Sequence, residues 1–248
     1  MQDVKLAIIG GSSLTSLEQL GQVESHTIST SYGKPSSDIQ IGEFGGEPVA
    51  FLARHGSDYQ TPPHLINYQA NIAALKKMGV EKILAVNTVG GIHPSMPAGS
   101  IVIPDQLIDY TWGRASTYSD QGNVIFIEFE KPFDQTLRQH LQKAAQQLQL
   151  SPHNGAVYGC TQGPRLETAA EINRLERDGC DLVGMTAMPE AALARELGMA
   201  YASVCLVVNP AAGRSDRPIC MSEVEKVASV GMLQVVQLLE AAVVSIAN

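Results

Sequence analysis

The chain has 248 residues, of which 44% are hydrophobic and 17% are charged, and its formal net charge is −8. These values are typical of a globular protein with a sizeable core and exclude a disordered chain. The negative charge argues against a general nucleic-acid binder, although local arginines and backbone N–H groups can still bind a small anion.

Targeting and metal-binding signals are absent from the sequence. The first residues, MQDVKLAIIGG, lack the basic segment and apolar core of a signal peptide, and we expect no apolar run long enough to span a membrane. The four cysteines show no CxxC spacing, and the six histidines show no metal-ligand spacing. We therefore expect a cytoplasmic protein with buried free thiols, no metal and no membrane partner.

Predicted strands and helices alternate along the chain, which indicates one α/β domain over residues 1–248. Apolar runs with the length of a buried strand occur at 5–9, 39–41, 48–53, 82–86, 100–103, 155–160, 181–184 and 201–208. Helical spacing of apolar residues occurs at 63–78, 134–148, 167–179, 189–197 and 222–247. The segment 109–133 has neither pattern, so we predict a long excursion that covers a site or meets a partner.

Polar side chains follow several of the predicted strands. Ser12 lies in a glycine-rich turn after the first strand, and Arg54 and His55 follow the strand 48–53. Ligands of open α/β sheets bind beyond the carboxyl ends of strands, so we expect such side chains to lie close together. Donors without negative charge suit phosphate, and they are supplied by Ser12, Arg54, Thr88 and Thr186. His55 could be a second anion contact or a polar residue satisfied near the core.

The segment 201–213 reads YASVCLVVNPAAG and begins with a continuous apolar run that is typical of a buried parallel strand. Pro210 cannot continue a central ladder, so the strand is expected to end at Asn209. An uncharged amide would then lie where a ligand binds. Asn-Pro also commonly begins a turn, and from these residues alone both interpretations stay open.

Eight segments occur in a fixed order over nearly the whole chain: IIGGSSL, ARHG, NYQANIAAL, NTVGG, PAGSIVIPDQ, QGPRLET, VGMTAMPEAALARE and VVNPAAG. Together they resemble the trimeric purine nucleoside phosphorylase and methylthioadenosine phosphorylase family, and within it the bacterial methylthioinosine phosphorylase branch. The resemblance implies a single domain with a mixed central β-sheet flanked by helices. It also implies phosphate-dependent cleavage of a nucleoside to a free purine and a sugar 1-phosphate, with no organic cofactor and no metal.

The resemblance also implies residue roles. Positions that match the family's phosphate contacts are Ser12, Arg54, His55, Thr88 and Thr186. Positions that match contacts to the nucleoside are Leu166 beside the base, Glu167 at N1–H, Met185 against the ribose, Asn209 at the purine N7 and C6 edge, and Met221 and Val224 in the 5′ pocket. The direct catalytic groups would be Asn209, Thr186 and His55.

The choice of base depends on Asn209 and Glu167. An amide can donate to O6 and accept from a protonated N7, whereas adenine-specific family members carry aspartate where this chain has Asn209. Glu167 would accept from N1–H, which a 6-oxopurine has and adenine lacks. We therefore predict cleavage of S-methyl-5′-thioinosine to hypoxanthine and 5-methylthioribose 1-phosphate in purine salvage. Methylthioadenosine, or inosine and guanosine, are the alternatives, because Glu167 also occurs in adenine users and the amide of Asn209 could be turned over.

The residues at the 5′ end of the nucleoside and at the subunit contacts match the family pattern only in part. Met221 and Val224 suit a methylthio group, and no histidine follows His153 to bind a 5′-hydroxyl, but the two residues could instead simply pack in the core. Phe126 aligns where methylthio-nucleoside phosphorylases commonly place a histidine from a neighbouring subunit, and ordinary ones a phenylalanine. Tyr59 also stands where a histidine is common. The resemblance implies a homotrimer or a hexamer with sites near the subunit interfaces.

Overall fold

The computed structural model describes residues 4–58 and 60–247, so Tyr59 lies outside the described residues. Within these residues, eleven strands form one mixed sheet. The strands are β1 (Leu6–Gly10), β2 (Gly21–His26), β3 (Ile39–Phe44), β4 (Glu47–Ala53), β5 (Lys82–Gly91), β6 (Ile101–Ile103), β7 (Gln106–Asp109), β8 (His153–Asn154), β9 (Val157–Cys160), β10 (Leu182–Gly184) and β11 (Ala200–Pro210). The helices are α1 (Tyr68–Lys77), α2 (Gln135–Gln147), α3 (Ala169–Arg177), α4 (Ala187–Glu196) and α5 (Met221–Ala247).

The sheet is built around four parallel strands in the order β4-β1-β5-β11. Beyond β4, the strands β3 and β2 continue the sheet in antiparallel pairs. Strand β10 pairs antiparallel with the last residues of β5 and leads to β9 and β7, which run parallel to it. Strand β11 also pairs antiparallel with β6, which pairs with β8. The predicted mixed central sheet flanked by helices is confirmed.

Successive side chains of a strand point to opposite faces of the sheet, and helices cover both faces of the central strands. One face packs under α2 and α5 and includes Ile8, Phe51 and Val204. The other face packs under α1 and α4 and includes Ile9, Leu52 and Cys205. Helix α3 covers a smaller cluster beside β10. Continuous apolar runs in the sequence therefore correspond to strands that lie between two helical layers.

The helix predicted over 63–78 is divided. Pro63–Leu65 forms one 3₁₀ turn, and the backbone is extended at Ile66. The side chain of Asn67 then accepts a hydrogen bond from the N–H of Ala70, 3.0 Å away, and α1 begins at Tyr68. A capping asparagine satisfies an N–H group that has no partner inside the helix, so the cap determines the start of α1.

Three strands, β2, β7 and β8, escaped the sequence prediction. The predicted strands 39–41 and 48–53 are found as β3 and β4, which form a hairpin. Gly45 and Gly46 have φ angles of +63° and +81°, and this left-handed pair is the two-residue turn that suits the twist of a hairpin. The missed strand β2 reads GQVESH and lies exposed at the sheet edge, so it has no apolar alternation to detect. The missed strands β7 and β8 have only four and two residues.

Helix α5 corrects one expectation. It is long and apolar enough to cross a membrane by length and composition, so the expectation that no such run exists is wrong. In the structure, 44% of its most apolar window is buried, and Val235, Leu238 and Leu239 pack in the core beside β11 and α2. The helix is therefore a core helix of this fold, and its apolar composition follows from that burial.

The cysteines follow the expectation of buried free thiols only in part. Cys160, Cys180 and Cys205 are buried, whereas Cys220 is exposed just before α5, so the expectation is wrong for Cys220. Burial raises the pKa of the Cys160 and Cys205 thiols to about 12. A hydrogen bond with the Ser222 hydroxyl, 3.2 Å away, and the first N–H groups of α5 lower the pKa of Cys220.

Candidate active site

A cavity of about 580 Å³ opens where β1, β4, β5 and β11 end. This volume is typical of small-molecule sites. Every site residue predicted from the sequence, except Phe126, lines the cavity: Ser12, Arg54, His55, Thr88, Leu166, Glu167, Met185, Thr186, Asn209, Met221 and Val224. The residues predicted to contact phosphate and those predicted to contact the nucleoside are thus brought together from segments that are far apart in the chain.

The strands reach the cavity from two directions. Ser12 and Arg54 follow the parallel strands β1 and β4, and Asn209 lies near the end of β11, so they arrive at the same edge of the sheet, as predicted. Strand β11 continues to Pro210, which pairs with Gly91, so the expectation that the strand ends at Asn209 is wrong. Strand β10 is antiparallel to β5, with Leu182 opposite Gly91. Thr186, which follows β10, therefore approaches the cavity from the opposite direction. We expected all of these residues to lie at the carboxyl ends of parallel strands. This expectation is too simple, because β5 pairs parallel with β1 and β11 but antiparallel with β10.

Arg54 is completely buried at the floor of the cavity. Its Nε and Nη2 donate hydrogen bonds to the two carboxylate oxygens of Glu190, at 2.6 and 2.7 Å, and its Nη1 donates to the carbonyl of Val86 at 3.0 Å. The Tyr201 hydroxyl also donates to Glu190, at 2.8 Å. Burial alone would lower the pKa of Arg54, but the Glu190 carboxylate outweighs it and raises that pKa. Arg54 therefore keeps its charge.

Sequence reasoning did not identify Glu190. The available signal was a carboxylate inside an otherwise apolar helical run, AMPEAALARE, at a position that proves to be fully buried. Buried charges are normally paired, so a glutamate at such a position indicates a buried cation elsewhere in the chain. Its partner, Arg54, is distant in sequence, and only the fold shows the pairing.

His55 lies beside Arg54 and is almost completely buried. Its Nδ1 is 2.8 Å from the carbonyl oxygen of Thr61. Burial, followed by the positive charge of Arg54, lowers the pKa of His55 to about 4. The ring is therefore neutral near pH 7, and the Thr61 carbonyl accepts the hydrogen bond from Nδ1–H.

Hydroxyl groups from three segments surround the same part of the cavity. The hydroxyl oxygens of Ser12 and Thr88 are 3.0 Å apart. Asn87 donates from Nδ2 to the Thr186 hydroxyl oxygen at 2.7 Å, and the Ser203 hydroxyl donates to Asn87 Oδ1 at 2.7 Å. Sequence reasoning assigned no role to Asn87 or Ser203, although a polar residue where an apolar strand ends was a visible signal for Asn87.

A carboxylate, Glu167, and an amide, Asn209, also line the cavity. The Thr161 hydroxyl donates to Glu167 Oε1 at 2.5 Å, which holds the carboxylate in one orientation. Asn209 donates from Nδ2 to the carbonyl of its neighbour Pro210 at 2.7 Å. This contact orients the amide, because the oxygen then faces away from Pro210. Leu166 lies next to Glu167 and remains 46% exposed.

Apolar side chains line the cavity as well, among them Ile219, Met221 and Val224. Met221 is 58% exposed, while Val224 is partly buried and also packs against the core under α5. The two interpretations of these residues, a pocket wall and core packing, are therefore compatible for Val224. Met185 also lines the cavity.

The excursion 109–133 is mostly irregular, as predicted, and it is joined to the cavity loops through Arg114. The Arg114 guanidinium donates to the carbonyl oxygens of Gln162 at 2.8 Å, Met185 at 2.9 Å and Met188 at 2.5 Å. Nothing in the sequence singled out this arginine. Phe126, on the same excursion, is 92% exposed and does not line the cavity of its own chain.

Metal-ligating side chains do not cluster in the part of the chain that the structure describes. Within residues 4–58 and 60–247, no group of three or more His, Cys, Asp or Glu residues is arranged to hold a metal ion. The groups that face the cavity are instead hydroxyls, amides, one arginine, one neutral histidine and one carboxylate. This set can bind an anion at one end and a polar heterocycle at the other.

Known proteins match this chain over nearly its whole length. A family model described as the Phosphorylase superfamily matches residues 5–244. A protein of Pseudomonas syringae pv. tomato, named probable S-methyl-5′-thioinosine phosphorylase, is 54% identical over 228 residues, which cover 91% of this chain and 93% of that protein. A 6-oxopurine nucleoside phosphorylase of Pyrococcus furiosus is 43% identical and covers 96% and 92%. The solved structure of methylthioadenosine phosphorylase from Schistosoma mansoni with adenine superimposes with a TM-score of 0.93 at 30% identity, covering 98% and 92%.

Proposed function

The chain belongs to the phosphorylase superfamily and is a nucleoside phosphorylase, a pentosyltransferase, and we propose that its nucleoside substrate is S-methyl-5′-thioinosine. The second substrate is inorganic phosphate, and the products are hypoxanthine and 5-methylthioribose 1-phosphate. No metal or organic cofactor takes part in this proposal. The reaction would serve purine salvage in the cytoplasm.

The observation that carries the proposal is that Asn209 and Glu167 line the same cavity. With one N–H of Asn209 held by Pro210, the amide oxygen can accept from N7–H and the second N–H can donate to O6. Glu167, held by Thr161, can accept from N1–H of a 6-oxopurine. Adenine presents an unprotonated N1 there, which would leave the carboxylate facing a lone pair.

The phosphate would bind at the hydroxyls of Ser12, Thr88 and Thr186, above Arg54. Such an arrangement holds the nucleophile against C1′ and offsets the positive charge that develops on the sugar, so positioning supplies most of the catalysis. Negative charge builds on the departing purine at the same time. Asn209 would bind N7 more strongly as this charge develops, so no strongly acidic side chain is needed.

The 5′ end of the nucleoside would lie against Met221 and Val224. Burial of a methyl group and a sulfur atom against apolar side chains is favourable, whereas a 5′-hydroxyl would find no histidine after His153. The names of two similar proteins agree with this choice of base and 5′ group: that of Pseudomonas syringae specifies methylthioinosine, and that of Pyrococcus furiosus specifies 6-oxopurines.

We propose further that the chain forms a homotrimer, alone or as half of a hexamer. The support is the exposure of large apolar side chains on the excursion, where Trp112 is 72% and Phe126 is 92% exposed. Exposed apolar groups of this size indicate a protein contact. In this assembly Phe126 would reach toward the cavity of a neighbouring subunit, since it does not line its own.

The substrate assignment is tested by measuring phosphate-dependent cleavage of four nucleosides: methylthioinosine, methylthioadenosine, inosine and guanosine. We expect the highest kcat/KM for methylthioinosine. Equal or faster release of adenine from methylthioadenosine would contradict the choice of base and favour the activity that the Schistosoma mansoni structure is named for. A preference for inosine or guanosine would contradict the assignment of the 5′ pocket. Binding without phosphate-dependent turnover would contradict the reaction itself.

A further inference from the structure

Three buried polar side chains are linked by two consecutive hydrogen bonds that lead to the cavity. The Ser203 hydroxyl donates to Asn87 Oδ1 and Asn87 Nδ2 donates to the Thr186 hydroxyl oxygen, both at 2.7 Å. Ser203 is completely buried, Asn87 is 1% exposed and Thr186 is 7% exposed. Asn87 and Thr186 line the cavity, whereas Ser203 lies behind them.

The direction of these hydrogen bonds decides what Thr186 can offer a ligand. A threonine hydroxyl carries one proton and can also accept. Because Thr186 accepts from the amide of Asn87, its own proton is available to donate elsewhere. An amide oxygen in the place of Nδ2 would instead take that proton, and Thr186 would present only lone pairs to an anion. Ser203 supports the productive orientation by donating to the amide oxygen.

Strand pairing alone does not explain why Asn87 and Ser203 are polar. Asn87 lies on β5 opposite Cys205 of β11, and Ser203 lies two residues earlier on β11 opposite Ala85, so the two side chains share a sheet face with the apolar core residues of that side. Buried polar groups are unfavourable unless they are fully hydrogen-bonded, and two apolar residues would hold these strands together as well. A polar pair at this place is explained if its far end serves the cavity.

We propose that Asn87 is a positioning residue for phosphate: it makes the Thr186 hydroxyl a hydrogen-bond donor toward the bound anion, with Ser203 holding the amide in the required orientation. This inference rests on the proposed function, because it requires phosphate to bind at Thr186. It adds two residues, neither of which needs to touch the substrate.

The test is a double-mutant cycle that measures KM for phosphate and KM for the nucleoside separately. Asn87→Leu should raise KM for phosphate about tenfold, because Thr186 can then turn its proton away from the anion, and should change KM for the nucleoside by less than about twofold. Thr186→Val, which keeps the shape and removes the hydroxyl, should have a similar or larger effect. In the Thr186→Val background, Asn87→Leu should add less than about twofold.

A carboxylate variant supplies a second readout that a purely structural role would not change. The ionised side chain of Asn87→Asp can only accept, so Thr186 should donate to it, and KM for phosphate should rise more than in Asn87→Leu. Lowering the pH protonates the aspartate and restores a donor. The phosphate KM of Asn87→Asp divided by that of Asn87→Leu should therefore fall to about one or below. Ser203→Ala, a smaller change, should raise the phosphate KM in the same direction and keeps the test open if Asn87→Leu does not fold.

The outcomes separate this inference from the proposed function. If Thr186→Val leaves KM for phosphate unchanged, phosphate does not bind at Thr186, and both the proposed role of Thr186 and this inference are overturned. If Thr186→Val acts as expected but Asn87→Leu has the same effect in both backgrounds, Asn87 does not act through Thr186, and only this inference is overturned. A flat pH dependence of the Asn87→Asp to Asn87→Leu ratio would also overturn it.

Discussion

Glu190 holds the guanidinium of Arg54 with two hydrogen bonds, of 2.6 and 2.7 Å, and both side chains are completely buried. The pair places the positive charge of Arg54 at the floor of the cavity. The Glu190 carboxylate offsets most of the unfavourable free energy of burying that charge. An arginine without this partner would be a buried charge in an apolar surrounding, which is strongly unfavourable. The proposed phosphate site therefore depends on a carboxylate that does not line the cavity.

Removal of this carboxylate charge should destabilise the fold. We expect Glu190→Gln to lower the free energy of unfolding by about 3–5 kcal/mol, because it leaves the charge of Arg54 unpaired in the core. Urea denaturation followed by circular dichroism measures the change. The matched control is Glu81→Gln, since Glu81 pairs with Lys5 on the surface at 2.8 Å, and this change should stay below about 1 kcal/mol. Equal effects of the two substitutions would contradict the role given to Glu190.

Asn209→Asp should change the preferred base. A carboxylate can only accept, so it loses the donor to O6 and gains an acceptor for the amino group of adenine. We expect the ratio of kcat/KM for methylthioinosine to that for methylthioadenosine to fall by about a hundredfold, which corresponds to roughly 3 kcal/mol of barrier. KM for phosphate is the internal control and should stay within about twofold. An unchanged ratio would remove Asn209 from base selection.

Thr161→Val should weaken recognition of the 6-oxopurine without a contact to it. The substitution keeps the side-chain shape and removes the hydroxyl that donates to Glu167 at 2.5 Å. We expect about a tenfold lower kcat/KM for methylthioinosine, typical of the loss of a hydrogen bond to a charged group, and little change for methylthioadenosine. In a Glu167→Gln background the same substitution should have a much smaller effect. A similar loss for both nucleosides would show that Thr161 supports the fold of the loop instead.

His55 should make folding stability depend on pH. Its pKa is about 4 in the folded protein, below the ordinary value of 6.5, so the unfolded chain binds more protons between these values. The stabilising contribution of the neutral ring is complete above pH 6.5 and is lost as the pH falls toward 4. Between pH 7 and pH 5 the loss should be about 2 kcal/mol. The measurement compares unfolding free energies of the wild type and His55→Asn at both pH values, and an equal decrease in the two proteins would contradict the shifted pKa.

The four thiols should differ sharply in reactivity. Cys220 is exposed and its pKa is lowered, whereas the other three are buried. A thiol reagent such as DTNB should therefore modify one thiol quickly in the native protein and four in denaturant, because the thiolate is the reactive form. Cys220→Ser should abolish the fast reaction. A fast reaction that persists in this variant would show that a buried thiol becomes accessible in the native state.

The lining of the candidate site was largely predictable because the residues proposed to contact phosphate and the base lie in short segments with characteristic local sequences. Ser12, Arg54 and Asn209 lie at or just after the ends of apolar strands, and a strand end is visible without knowledge of its neighbours. The positioning residues were not predictable in this way. Glu190 and Ser203 lie inside apolar runs, where a polar residue has meaning only once its distant partner is known.

The sequence by itself determined the alternation of strands and helices, the core strands, the family and most of the cavity lining, because these depend on local spacing and on ordered motifs. Only the tertiary structure decided how the contacts are held. It showed that Thr186 arrives on an antiparallel strand, that Pro210 orients the amide of Asn209, and that α5 is a core helix. These features depend on contacts between residues that are far apart in the chain or on the orientation of one side chain, and neither leaves a periodic pattern in the sequence.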